Sequence, residues 1–275
     1  MLLIRPSSSL LRHAIAFRSL ATHSLSKAER GKQLAAYRAV DEMLDSSLEK
    51  GIIGLGSGST IEHAIERIHQ RKDLHSVVYV PTSFQTKRLI LHYNLRLGNI
   101  DQYTSVDLTI DGADEVDANL NAIKGGGACL FQERLVAQAS KKFVLIADER
   151  KKSDKLGSKY LRGIPIEIVP MALQTVLFNI QNMWENATVR LRMATPTDKA
   201  GPVVTDNGNL ILDCQMGPID DPVNVYRDIK LLTGVVDVGL FCNMAEVAYF
   251  GGLEDEKVDI WYKQKSGKGS TVVRS

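Results

Sequence analysis

A chain of 275 residues, 44% of them hydrophobic, can bury one large core or two unequal ones, and 34 Lys and Arg against 32 Asp and Glu leave a net charge of only +2. That balance gives no reason to expect DNA or another polyanion as partner, and no apolar run approaches the roughly 20 residues needed to cross a bilayer. Three widely spaced cysteines, Cys129, Cys214 and Cys242, form no CxxC pair, which disfavours a disulfide framework and a thiolate zinc site and fits a reducing compartment.

Residues 1–28 stand apart, with Arg5, Arg12, Arg18 and Lys27 among many Ser and Leu and no acidic residue before Glu29. Their composition is that of a mitochondrial presequence or of a basic extension with no targeting role. From 29 to 48, Leu34, Ala35, Ala36, Ala39, Val40, Met43 and Leu44 recur three and four apart, predicting an amphipathic helix closed by Gly51. A strand over 52–55 runs into Gly56-Ser57-Gly58-Ser59-Thr60, and helical spacing resumes at Ile61, Ala64, Ile65 and Ile68. The alternation continues with a strand at 77–80, a helix at 83–93, a strand at 108–111, a helix at about 128–140 and a strand at 143–147. This order predicts a mostly parallel, doubly wound sheet with ligands at the carboxyl ends of its strands.

Beyond Pro165 the pattern changes. Strands at 165–169 and 187–193 flank a helix at 171–183, and Asn207-Gly208 between Val203-Val204 and Leu210-Ile211-Leu212 signals a hairpin. A helix near 222–232 and a strand near 235–241 complete a β-α-β-β-α-β order, the ferredoxin-like arrangement. The expected class is therefore α/β, a doubly wound domain (29–162 and 243–275) carrying a smaller α+β domain (163–242). A strand at 245–250 is expected to rejoin the first sheet, with a frayed end after Lys263.

Four clusters carry chemistry. In Gly54-Leu55-Gly56-Ser57-Gly58-Ser59-Thr60, glycines turn successive N–H groups inward at a helix start, where an anion is stabilised. A nicotinamide-binding loop would need glycine where Ser59 stands, so dinucleotide binding is disfavoured; a ligand-free turn is the competing reading. Asp111-Gly112-Ala113-Asp114-Glu115-Val116-Asp117 crowds four acids at a strand end, which raises some carboxyl pKa values and suits proton exchange near neutrality. A calcium loop would place its glycine differently, and a solvated acidic turn competes. Lys124-Gly125-Gly126-Gly127-Ala128-Cys129, followed by Glu133, offers unobstructed amides, a cation and a carboxylate around one space, able to hold an oxyanion. A flexible linker beside a surface glutamate is the plain alternative, and Cys129 reads as packing. Lys151, in the basic run after the 143–147 strand, can reach a phosphate.

These four clusters, in this order, resemble type A ribose-5-phosphate isomerase over about residues 32–250, and segments 165–170 and 200–207 resemble its fungal members. The resemblance implies a Rossmann-like fold with a ferredoxin-like domain, no metal or organic cofactor, and a small sugar phosphate as partner, without nucleic acid or membrane. It further implies a homodimer or homotetramer and a cytoplasmic place in the non-oxidative pentose phosphate pathway, against which the basic leader stands. Carried over motif by motif, Ser57, Gly58, Ser59 and Thr60 match the sugar-phosphate loop and Lys151 the phosphate-binding lysine. Asp111, Gly112, Ala113, Asp114, Lys124, Gly125, Gly126 and Gly127 match the substrate-contacting segments, and Glu133 the catalytic base. Lys32 stands near a further phosphate lysine, before a longer helix-to-strand connection. The implied chemistry moves a proton from carbon 2 to carbon 1 through an enediolate, with Glu133 shuttling, Lys124 and the glycine amides holding the charge, and Asp111 with Asp114 handling hydroxyl protons and ring opening. A sugar-phosphate sensor on the same fold would normally append a DNA-binding helix-turn-helix, for which the leader is too irregular. An amino-sugar-phosphate deaminase would want a catalytic histidine motif, yet all six histidines precede the acidic loop.

Overall fold

The computed structural model describes residues 25–45, 48, 50–263 and 272–274; the basic leader, up to residue 24, lies outside them. Helix α1 (Lys27–Met43) starts earlier than its apolar spacing suggests because Ser26-Lys27-Ala28-Glu29 is a capping sequence. The Ser26 hydroxyl accepts from the Glu29 N–H at 3.2 Å. There follow β1 (Ile52–Leu55), α2 (Ser59–Gln70), β2 (Val78–Pro81), α3 (Phe84–His92), β3 (Arg96–Leu97), β4 (Leu108–Gly112), β5 (Glu115–Val116), β6 (Ala122–Ile123), α4 (Leu130–Ala139) and β7 (Phe143–Asp148). The second half comprises β8 (Ile164–Ile168), α5 (Leu173–Met183), β9 (Thr188–Leu191), β10 (Leu210–Gln215), α6 (Pro222–Lys230), β11 (Val235–Val238), β12 (Leu240–Phe241), β13 (Val247–Gly251), β14 (Val258–Lys263) and β15 (Val272–Arg274).

The main sheet runs β15-β14-β13-β7-β4-β1-β2-β3, parallel from β13 to β3 and antiparallel at β14 and β15. Its central strands are buried on both faces, as parallel sheets require. On β7, Val144 and Ile146 face the core shared with α1 and α2, while Phe143, Leu145 and Ala147 face Phe241, Phe250 and Trp261. Each such Val, Ile or Phe side chain contributes about 1.5–3 kcal/mol on burial. Strand β13 does rejoin this sheet, beside β7.

The second sheet, β11-β8-β10-β9, is antiparallel, and α5 and α6 pack on it around Ile166, Ile168, Val176, Ile180 and Ile229. Counted along the β-α-β-β-α-β unit, its order is fourth, first, third, second, the ferredoxin-like arrangement. A third sheet, β12-β6-β5, joins the two. The strand expected over 235–241 is thus two strands in different sheets, and the chain crosses between them at Gly239. The Gly239 N–H donates to the Pro165 carbonyl (2.7 Å) and its carbonyl accepts from the Lys124 N–H (2.9 Å).

Two expectations need correction. The partner of β10 across the sheet is β9; Val204 makes only an isolated bridge to Leu210, so the Asn207-Gly208 turn closes a small loop and not a full hairpin. Of the end expected to fray after Lys263, residues 272–274 form β15, paired antiparallel with β14 at the edge of the main sheet, and residues 264–271 and 275 lie outside the described residues. Among the described residues no helix is long and apolar enough to cross a membrane.

Candidate active site

The carboxyl ends of β1, β4 and β7 open into one cavity, lined by Lys32, Ser57, Gly58, Ser59, Thr60, Gly112, Ala113, Asp114, Lys124, Gly125, Gly126, Gly127, Glu133 and Lys151, with Gln85, Cys129 and Arg150. Every residue that the resemblance carries over to the site lines it except Asp111, which is fully buried one layer behind. The reason is the bond pattern of β4. Asp111 Oδ1 accepts from the N–H groups of Ser57 (3.2 Å) and Gly112 (2.7 Å), and Oδ2 lies 2.9 Å from Lys124 Nζ. Gly56 is required for this layering, because a Cβ there would lie 1.7 Å from Asp111 Oδ1.

Lys124 is the centre of the arrangement. It is 2% exposed, 2.9 Å from Asp111 and 3.3 Å from Glu133 Oε1, bonded to the Gly112 carbonyl at 2.5 Å, and 5.4 Å from the centre of the Phe241 ring. Burial opposes its charge, but the carboxylates of Asp111 and Glu133 outweigh burial and hold its pKa above the usual value. Glu133 projects from the first turn of α4, 5% exposed, and its Oε2 has no hydrogen-bond partner among the described residues. Burial, then repulsion from Asp111, push its carboxyl up to about 8 against the partial relief given by Lys124. Asp111 is likewise raised by burial despite Lys124 and its two amide donors. A buried carboxylate with proton affinity near neutrality, one oxygen unpaired and an ammonium beside the other, is equipped to take and return a proton.

The glycine loop is less free than three open amides would be. The Gly126 N–H already donates to Asp114 Oδ2 at 2.7 Å, so Asp114 is fixed against the loop. On its outer side Arg192 Nη1 donates to the carbonyls of Gly125 (2.8 Å) and Gly126 (3.1 Å). Cys129 caps α4 and lines the cavity; its thiol is pushed up to about 12 by burial and by Glu133, which makes it a poor nucleophile.

At the far end of the cavity the first amides of α2, those of Ser59 and Thr60, have no carbonyl behind them within the helix. Lys32 Nζ sits there, 2.8 Å from Ser59 Oγ and 2.6 Å from Glu29 Oε1, and Lys151, just after β7, lines the same cavity. Two cations beside a helix amino terminus are an arrangement able to hold a phosphate. Arg150 is tied back to Asp148 at 2.6 and 3.0 Å, and Gln85 Oε1 accepts the Gly58 N–H at 2.9 Å.

The remaining acids of the cluster turn away. Glu115 accepts four N–H groups from residues 157–160, and Asp117 accepts from Asn119 and Asn121. Both are buried, so the solvated-turn alternative does not describe them. Gln85, Arg192 and Phe241 escaped the sequence reading; Arg192 and Phe241 lie in strand contexts whose alternation does not say that they meet the glycine loop and Lys124.

The family model of ribose 5-phosphate isomerase A (phosphoriboisomerase A) matches residues 78–255. A ribose-5-phosphate isomerase of Candida albicans is 51% identical over 242 residues, covering 87% of this chain and 99% of the relative; one of Schizosaccharomyces pombe is 48% identical over 244 residues, covering 89% and 86%. Among solved structures, a D-ribose-5-phosphate isomerase in complex with phospho-erythronic acid superposes with a TM-score of 0.78 at 35% identity, covering 86% of this chain and 99% of that one. The ribose 5-phosphate isomerase of Plasmodium falciparum gives 0.77 at 35% identity, with 85% and 98% covered. Sequence and fold agree, and the chain belongs to the ribose 5-phosphate isomerase A family.

Proposed function

We infer that this chain interconverts D-ribose 5-phosphate and D-ribulose 5-phosphate, with Glu133 as the proton shuttle. The observation that carries the assignment is the buried Glu133 carboxylate, raised to about 8 and facing the cavity that Lys124, the glycine loop and the two phosphate-facing lysines share. In the open-chain aldose the hydrogen on carbon 2 is acidified by the neighbouring carbonyl. Glu133 removes it, the C–H electron pair forms the carbon 1–carbon 2 double bond, and charge gathers on oxygen 1. The Lys124 ammonium donates a proton to oxygen 1 and recovers one from oxygen 2, and Glu133 returns its proton to carbon 1 on the same face. Lys32, Lys151 and the Ser57–Thr60 loop grip the phosphate and fix the sugar's register. Asp114, at the cavity wall, serves hydroxyl protons during ring opening, and Asp111 acts through Lys124.

Strand membership supports a catalytic domain over 29–162 and 243–275 and a smaller one over 163–242. By the same family reading the protein works as a cytoplasmic homodimer or homotetramer, with the basic leader as the feature that would redirect it to mitochondria. The test follows ribulose 5-phosphate formation from ribose 5-phosphate with and without a strong chelator. Undiminished turnover is expected; absent turnover ends the assignment, and chelator-sensitive turnover moves the chemistry from Glu133 to metal-held carboxylates.

A further inference from the structure

The reaction's charge develops beside a loop of three glycines, and glycine backbones hold a direction only when something else fixes them. That something comes from the other sheet. Arg192 follows β9 and is 8% exposed; its Nε and Nη2 form a fork on the carboxylate of Asp213 in β10, at 2.9 Å for the Nε arm. The fork leaves Nη1 aimed at the carbonyls of Gly125 and Gly126, 2.8 and 3.1 Å away. In a planar trans peptide the carbonyl and the following N–H point in opposite directions. Holding the Gly125 carbonyl therefore directs the Gly126 N–H away from Arg192, onto Asp114 Oδ2. Holding the Gly126 carbonyl directs the Gly127 N–H away as well, and Gly127 lines the cavity. Ala128 and Leu130 packed against Ile211 and Val203 keep the two sheets at this spacing.

We propose that Arg192 is a positioning residue for the isomerisation: clamped by Asp213, it sets the peptide planes that present the Gly127 amide to the enediolate and lock Asp114 against the loop. This rests on the isomerase reading above. It differs from a purely structural role in its kinetic signature, since a misdirected amide weakens the charged intermediate more than the neutral sugar.

The experiment compares the unaltered full chain with Arg192→Ala, measuring kcat and KM for ribose 5-phosphate and the Kd of phospho-erythronic acid, whose carboxylate imitates the enediolate charge. Active protein is counted by calorimetric titration with that acid. The expected result is a kcat about 10²-fold lower, a KM changed no more than about threefold, a weakened acid Kd, and partial recovery of kcat on adding methylguanidinium. If Arg192→Ala does not fold, the double variant Arg192→Met with Asp213→Leu leaves no buried unpaired charge and carries the same comparison. A folded variant with kcat within about threefold of the unaltered chain overturns the proposal, as does equal weakening of sugar and acid. An unaltered chain that fails to isomerise ribose 5-phosphate refutes the underlying function instead.

Discussion

Replacing Glu133 by Gln separates two consequences of burying a carboxylate against Asp111 and Lys124. The volume is kept and the ionisable group removed. Losing a general base costs about 10²- to 10⁴-fold in rate, or about 2.7–5.4 kcal/mol on the barrier. Stability should move the other way. The folded chain keeps the Glu133 proton up to about 8, whereas the unfolded chain releases it near 4.5, so between those values the folded state binds more protons and loses stability as pH rises. Over the whole window the loss amounts to at most about 5 kcal/mol, and Gln cannot incur it. The variant is therefore expected to be nearly inactive yet to melt several degrees above the unaltered chain at pH 8, the two converging near pH 4.5; about 2–4 °C accompanies each kcal/mol in a chain of this size. Ketose formation and scanning calorimetry at the two pH values measure both halves. Turnover within tenfold of the unaltered chain, or a lower midpoint at pH 8, would refute the role given to Glu133.

The same proton affinity shapes the rate profile: kcat/KM should rise with pH and reach half its plateau near 8, where Glu133 becomes a carboxylate, with no falling limb below the ordinary lysine range because Lys124 is raised. Stopped-flow rates across pH 6–10 test this, and a flat profile would contradict it. Gly126→Ala places a methyl 2.4 Å from Asp114 Oδ1 and should cost at least about tenfold in kcat by dislodging Asp114, whereas at Gly127 a Cβ meets nothing within 4 Å, so Gly127→Ala should fold normally and show its effect chiefly in KM. Lys151→Ala should raise KM about 10- to 100-fold, the worth of one charge-assisted bond to phosphate, with kcat little changed; inorganic phosphate should inhibit this variant correspondingly less.

The parallel sheet was legible because its apolar runs and glycine loops alternate with helical spacing, and the two loops that line the cavity because glycines beside Ser, Thr and Lys stand together in local order. What escaped depends on contacts remote in sequence. Strands β3, β5, β6 and β12 are two residues long and exist only through their partners. Asp111 reads like Asp114, yet its register on β4 turns it under Gly56 while Asp114 reaches the wall. Arg192 looks like any strand-end cation until Asp213 and the Gly125 carbonyl are brought beside it from 21 and 67 residues away.

The pairing of Val144 in β7 with Val247 in β13 has a bearing on synthesis. All of the antiparallel sheet must leave the ribosome between these two partners. At about 5–20 residues per second the nascent chain carries an unpaired Phe-Val-Leu-Ile edge for on the order of ten seconds, the interval in which hydrophobic strands find wrong partners. Lys141 and Lys142 on one side and Asp148 on the other bracket that edge with charge, so the segment that waits longest for its neighbour is guarded against aggregation while it waits.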